Sequence, residues 1–204
     1  LLVLDLNGAL IFRDKKSGSR RTSYPRPYLG AFLDYLFLPE PNAKLPAYRP
    51  WEVYVWSSAQ PGNVQPMVES SFGEKYIEGI WRKETDQARE KREKKGEGRL
   101  LGVWARDKLG LSSVDYRQKV QTVKDLRILS KHLLTALSLD PSDCLNHLRF
   151  DETNMVLLDD SPLKGVRQPW NEVVLPEYDG DGYQKSRLAA LKGEQDEEVI
   201  PEGM

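Results

Sequence analysis

An open α/β sheet of parallel strands covered by helices on both faces is the fold class the sequence predicts. Apolar runs rich in β-branched and aromatic residues recur at 1–6, 51–56, 154–158 and 172–175. Amphipathic stretches of helical period lie between them, and alternation of the two patterns favours a parallel sheet. The third observation is chemical. The first run carries Asp5 near its end, and Ser57 and Asp159 directly follow the second and the third. Open α/β sheets bind ligands outside the carboxyl ends of their strands.

The elements follow in chain order. Residues 1–6 (Leu-Leu-Val-Leu-Asp-Leu) form a core strand, and Asn7-Gly8 turns the chain away from it. Residues 11–25 hold a polar loop between possible short strands, readable as a hairpin flap beside that strand's end. Tyr28 to Phe37 places apolar residues at 28, 29, 32, 33, 36 and 37, the stripe of a core-facing helix after Pro25-Arg26-Pro27. A strand at 51–56 leads to a short helix from Val64 to Ser71, opened by Pro61-Gly62-Asn63.

Residues 72–121 are expected to be an insertion. Within it Trp81 to Lys95 is nearly all charged, with Glu90 and Lys94 spaced as a favourable i,i+4 pair, and reads as a solvated helix or excursion. Gly96-Glu97-Gly98 breaks that run before the more apolar Leu100 to Trp104. Thr122 to Leu137 is an amphipathic helix, apolar at 123, 126, 128, 129, 133, 134 and 137. Strands at 154–158 and 172–175 complete the sheet. Residues 1–180 are therefore expected to form the domain and 181–204 a C-terminal extension, acidic and core-poor from Lys192 onward.

Composition narrows the function. Two hundred and four residues suffice for one packed domain. Thirty basic against thirty-one acidic side chains leave a net charge of −1, which argues against direct nucleic-acid binding as the main task. Cys144 is alone and forms no internal disulfide, which fits a reducing compartment. No apolar stretch approaches the ~20 residues of a membrane span. Leu1 is not a start methionine and lies directly in a strand, so a trimmed chain with any targeting signal upstream is expected.

The order Asp5, Ser57, Lys124, Asp159-Asp160 suits phosphoryl transfer through an aspartyl-phosphate. Asp5 is the candidate nucleophile. Ser57 can hold a phosphate oxygen, and the Lys124 ammonium can neutralise both the nucleophile and the phosphoryl group. Carboxylates from two strand ends suit Mg²⁺, which prefers hard oxygen ligands. A metal is also needed chemically, since a carboxylate attacks a phosphate dianion poorly unless its charge is neutralised.

These residues and their neighbours resemble the haloacid-dehalogenase superfamily. Within it they resemble the RNA-polymerase C-terminal-domain phosphatases, also called NLI-interacting-factor-like phosphatases. The likeness rests on Arg26-Pro27-Tyr28-Leu29, Val55-Trp56-Ser57-Ser58-Ala59, Val123-Lys124-Asp125-Leu126, Leu158-Asp159-Asp160-Ser161-Pro162, Gln168-Pro169-Trp170-Asn171 and Val174-Leu175-Pro176. It implies a Rossmann-like sheet without a large cap domain, and catalytic roles at Asp5, position 7, Ser57 and Lys124. It also implies Mg²⁺ bound by Asp5, the Asn7 backbone carbonyl, Asp159 and Asp160. Substrates would be phosphoserine or phosphothreonine proteins or peptides, contacted by Ser58 and by Arg106 of Trp104-Ala105-Arg106-Asp107. A nuclear location is implied over a mitochondrial or cytoplasmic one.

One departure matters. The family's second motif-one aspartate, which protonates the leaving alcohol and then activates water, is Asn7 here, and the next Thr or Val is Ala9. An amide moves no proton at ordinary pH, and general acid–base catalysis is worth roughly 10²–10⁴-fold. Slow turnover is expected, whether Asn7 is native or a trapping substitution. The alternative is an impaired phosphatase fold kept as a binding or scaffold module. His132, His147 and Cys144 have no metal-ligand spacing, and Ser57 has no histidine near it in sequence. Arg13, Lys15, Lys16, Arg20 and Arg21 form a basic loop, either a solvated hairpin or a phosphopeptide contact.

Overall fold

A computed structural model describes residues 1–14, 22–38, 51–138 and 149–197. Five parallel strands form the sheet: β1 (Leu2–Leu4), β4 (Val53–Trp56), β5 (Leu100–Trp104), β6 (Val156–Asp159) and β7 (Glu172–Val174), in spatial order β5-β4-β1-β6-β7. Strand β1 lies at the centre, with Leu4 level with both Val55 and Leu158. The expected α/β parallel sheet is thus the fold.

The period of two along each strand explains the two-sided core. Leu2, Leu4, Val53 and Val55 pack on one face against α1 (Leu29–Phe37) and α2 (Pro61–Phe72). Leu1, Val3, Tyr54, Trp56 and Leu157 pack on the other against α6 (Leu126–Ser138) through Leu126, Leu129 and Leu133. The flap is an antiparallel hairpin of β2 (Ile11–Arg13) and β3 (Ser23–Pro25). Its tip, with Lys15, Lys16, Arg20 and Arg21, lies outside the described residues, as do Cys144 and His147.

Three boundaries differ from the sequence expectation. The stretch 72–121 is not all insertion, because β5 pairs along β4 as an edge strand of the sheet. Gly102 hid it: glycine weakens a strand pattern, yet a side chain there would overlap the Tyr54 ring. Before β5 the chain runs through α3 (Glu74–Ile77) and α4 (Asp86–Lys95); after it comes α5 (Ser113–Arg117). The charged α4 makes the Glu90–Lys94 pair at 2.7 Å, but it is anchored by Glu84, a buried carboxylate that Arg92 Nε contacts at 2.9 Å.

The second difference is the start of α6, at Leu126 rather than Thr122, which leaves Lys124 on irregular chain ahead of the helix. Asp125 caps the helix by accepting the Arg127 N–H at 3.1 Å, and Gln168 Oε1 accepts the Leu126 N–H at 3.1 Å. Third, a helix runs across the expected boundary between residues 180 and 181. Helix α7 (Gly180–Glu197) brings Tyr183 against Tyr24 of the hairpin, with ring centroids 4.3 Å apart.

Candidate active site

The parallel register sets the site. Because Leu4 is level with Leu158, the next residues, Asp5 and Asp159, leave adjacent strands side by side, and the Asp5 N–H still bonds Leu158 O at 2.9 Å. Ser57 leaves β4 on the other side of β1, its N–H donating to Trp104 O at 2.9 Å. After Asp5 the chain turns within residues 6–11. Gly8 has φ +93°, and a Cβ there would overlap the Asp160 carboxylate. Glycine is required at that turn for both reasons.

Lys124 joins the strand ends. Its Nζ lies 2.6 Å from Asp5 Oδ1 and 2.6 Å from Asp159 Oδ2, with its side chain wholly buried. Burial alone would push this ammonium down, but the charges of Asp5 and Asp159 outweigh it and hold the group charged, above its ordinary value. Asp159 is held below the usual carboxylate range: burial opposes ionisation, and Lys124 and Lys164 overcome it. Asp160 goes the other way. Burial, a hydrogen bond with Asp159 and the charges of Asp5 and Asp159 push it up to about 7.

Asp5, Asp159 and Asp160 offer oxygens that all lie within 4.8 Å of one another. That hard-oxygen set fits a divalent cation such as Mg²⁺. The two members of the acidic pair differ. Asp159 Oδ2 is taken by Lys124, and Oδ1 by the Ser161 N–H at 3.1 Å, with Lys164 Nζ 3.6 Å away.

The other expected residues fall as follows. Ser57 is buried, its Oγ accepting the Ala59 N–H at 3.2 Å. Ser58 Oγ pairs with Thr122 Oγ1 at 3.0 Å, tying the end of β4 to the segment that carries Lys124. Asn7 is exposed on the turn. Arg106 corrects the expectation. Its guanidinium is buried and donates to the carbonyls of Tyr116 at 3.0 Å, Asp115 at 2.8 Å and Gln118 at 2.6 Å, with Ser58 O at 3.5 Å. Those bonds make it a clamp between the chain around α5 and the end of β4 rather than a free substrate-side cation.

Several residues gain roles that sequence reasoning missed. Arg26 donates to Ala9 O at 2.6 Å, Gly8 O at 3.2 Å and Pro176 O at 2.7 Å, fixing the turn after Asp5. Asn171 Nδ2 bonds Met155 O at 2.8 Å, just ahead of β6. Both lie in the quoted motifs, so their presence was visible but their partners were not. Lys164 belongs to no motif, and its only signal is its place five residues beyond Asp159. His132 packs on Trp104, with ring centroids 4.9 Å apart.

The chain is similar to several known proteins. A family model described as NLI interacting factor-like phosphatase matches residues 1–194. An uncharacterized FCP1 homology domain-containing protein of Schizosaccharomyces pombe is 26% identical over 185 residues, covering 87% of this chain and 61% of that protein. The chain thus spans about three-fifths of that relative's length. The fission yeast RNA polymerase II CTD phosphatase Fcp1 bound to beryllium fluoride aligns over 97% of this chain and 52% of its own, at 13% identity and a TM-score of 0.45.

Proposed function

The chain belongs to the NLI interacting factor-like phosphatase family, and from that premise we propose that it is a Mg²⁺-dependent phosphatase of phosphoserine or phosphothreonine proteins, slowed by Asn7. The observation that carries the proposal is the Asp5–Lys124–Asp159 array at adjoining strand ends, with Asp160 beside it.

Asp5 is the nucleophile. With Oδ1 held by Lys124, its other oxygen forms the new bond to phosphorus as the ester P–O bond breaks and its electron pair leaves on the seryl or threonyl oxygen. Lys124 and the segment at Ser57 and Ser58 stabilise the phosphoryl oxygens. Mg²⁺, held by Asp5, Asp160 and the Asn7 carbonyl, would supply charge neutralisation for the transferring group. Asp159, committed to Lys124 and the Ser161 N–H, positions the ammonium instead of serving as a direct ligand.

The leaving oxygen must gain a proton, and the water that later splits the aspartyl-phosphate must lose one. The Asn7 amide does neither. Asn7→Asp is expected to raise phosphoserine-peptide turnover by at least ~10-fold, with Mg²⁺ present. A variant that binds Mg²⁺ yet stays as slow as the parent would favour the second reading, a phosphopeptide-binding module. Nuclear residence remains part of the proposal; among the described residues no helix is long and apolar enough to cross a membrane.

A further inference from the structure

Lys164 is a second, partly buried cation at this site, joined to the first through its backbone carbonyl. Its backbone carbonyl accepts the Lys124 N–H at 2.8 Å, and its own N–H donates to Ser161 O at 2.9 Å, closing the turn beyond β6. Its side chain is 15% exposed, and its Nζ lies 3.6 Å from Asp159 Oδ1, across the carboxylate whose other oxygen Lys124 holds. Beyond it, the Gly165 N–H bonds Glu172 Oε1 at 3.0 Å. Charges therefore alternate from Asp5 through Lys124 and Asp159 to Lys164.

The consequence is electrostatic. With Lys124 as its only ammonium, Asp159 would cancel much of the charge that Lys124 offers to Asp5 and to an incoming phosphoryl group. We propose that Lys164 is a positioning residue that neutralises Asp159, leaving the Lys124 ammonium effective toward the phosphoryl group at the expense of divalent-cation affinity. The inference rests on the phosphatase reading of the site and deepens it. Lys164 acts through Asp159 and need not touch the substrate.

The sign of the effect separates this role from simple structural support. Removing one positive charge makes the site more negative, so a cation should bind better and an anion worse. One charge several ångströms away in a partly solvated site corresponds to about 3- to 10-fold in each constant. The experiment is titration calorimetry on the whole chain, first with Mg²⁺ alone, then with inorganic phosphate at saturating Mg²⁺. Lys164→Met is expected to tighten Mg²⁺ and weaken phosphate, while Lys164→Arg keeps both constants near the parent values. Weakening of both ligands, or no change in either, overturns the inference. If Lys164→Met does not fold, Lys164→Gln makes the same charge change with a polar tip and carries the same expectation. A parent chain that binds neither Mg²⁺ nor phosphate overturns the phosphatase reading and this inference together. A parent that binds both beside an unresponsive variant overturns the inference alone.

Discussion

At the residue scale, the site depends on one buried ammonium between two carboxylates. Lys124→Met keeps the volume but strands Asp5 and Asp159 without their shared cation, an exposure of buried charge worth roughly 3–5 kcal/mol. Urea unfolding without metal should show that loss; an unchanged midpoint would mean the carboxylates are not ionised together. Gly8→Ala should weaken Mg²⁺ binding by at least ~10-fold, since at φ +93° the new methyl displaces Asp160 from the cluster. Calorimetry checks it, and normal affinity would remove Asp160 from the proposed ligand set. Asp5, Asp159 and Asp160 were legible because an apolar run precedes each strand end, and Lys124 from the amphipathic pattern that follows it. Arg106 was misread because sequence shows a cation but not the carbonyls that occupy it, which come from residues 9 to 12 positions ahead and from Ser58.

At the element scale, α6 is the helix that fixes where Lys124 sits, and its cap has a pH signature. Asp125 is held down to about 2, chiefly by its hydrogen bond from Arg127. A carboxyl depressed in the fold stabilises it above the unfolded value near ~4, and that contribution is lost as pH falls toward 2. The parent should therefore exceed Asp125→Asn in stability at pH 6, and the gap should close between pH 4 and 2. A gap independent of pH would assign the cap to geometry rather than charge. The helix start itself was misplaced by four residues because Thr122 and Val123 continue the apolar and polar spacing. The bonds that hold this segment out of the helix, Lys124 N–H to Lys164 O and Ser58 to Thr122, come from the turn beyond β6 and the end of β4.

At the scale of the whole molecule, the central strands β1, β4 and β6 were legible from apolar pattern alone, whereas the sheet's β5 edge and the C-terminal helix were not. Edge strand β5 carries Gly102, and among the described residues of α7 it is Tyr183 that meets the hairpin, at Tyr24 and Phe12. Tyr183→Ala should cost about 1–2 kcal/mol by removing the ring contacts with Tyr24 and Phe12. Thermal unfolding should show one transition moved downward. A silent substitution would detach α7 from the cooperative unit. The central claim is that this fold delivers Asp5 to phosphorus, and Asn7 makes that claim directly measurable. An amide that cannot activate water should let the phosphorylated Asp5 accumulate. The measurement is intact-protein mass after acid quench of the chain mixed with an aryl phosphate and Mg²⁺, followed by mapping of the modified peptide. The account predicts one added phosphoryl group on Asp5, absent with EDTA and absent in Asp5→Asn. Turnover of the aryl phosphate by Asp5→Asn at the parent rate, or a phosphoryl group mapped to any other residue, would contradict it.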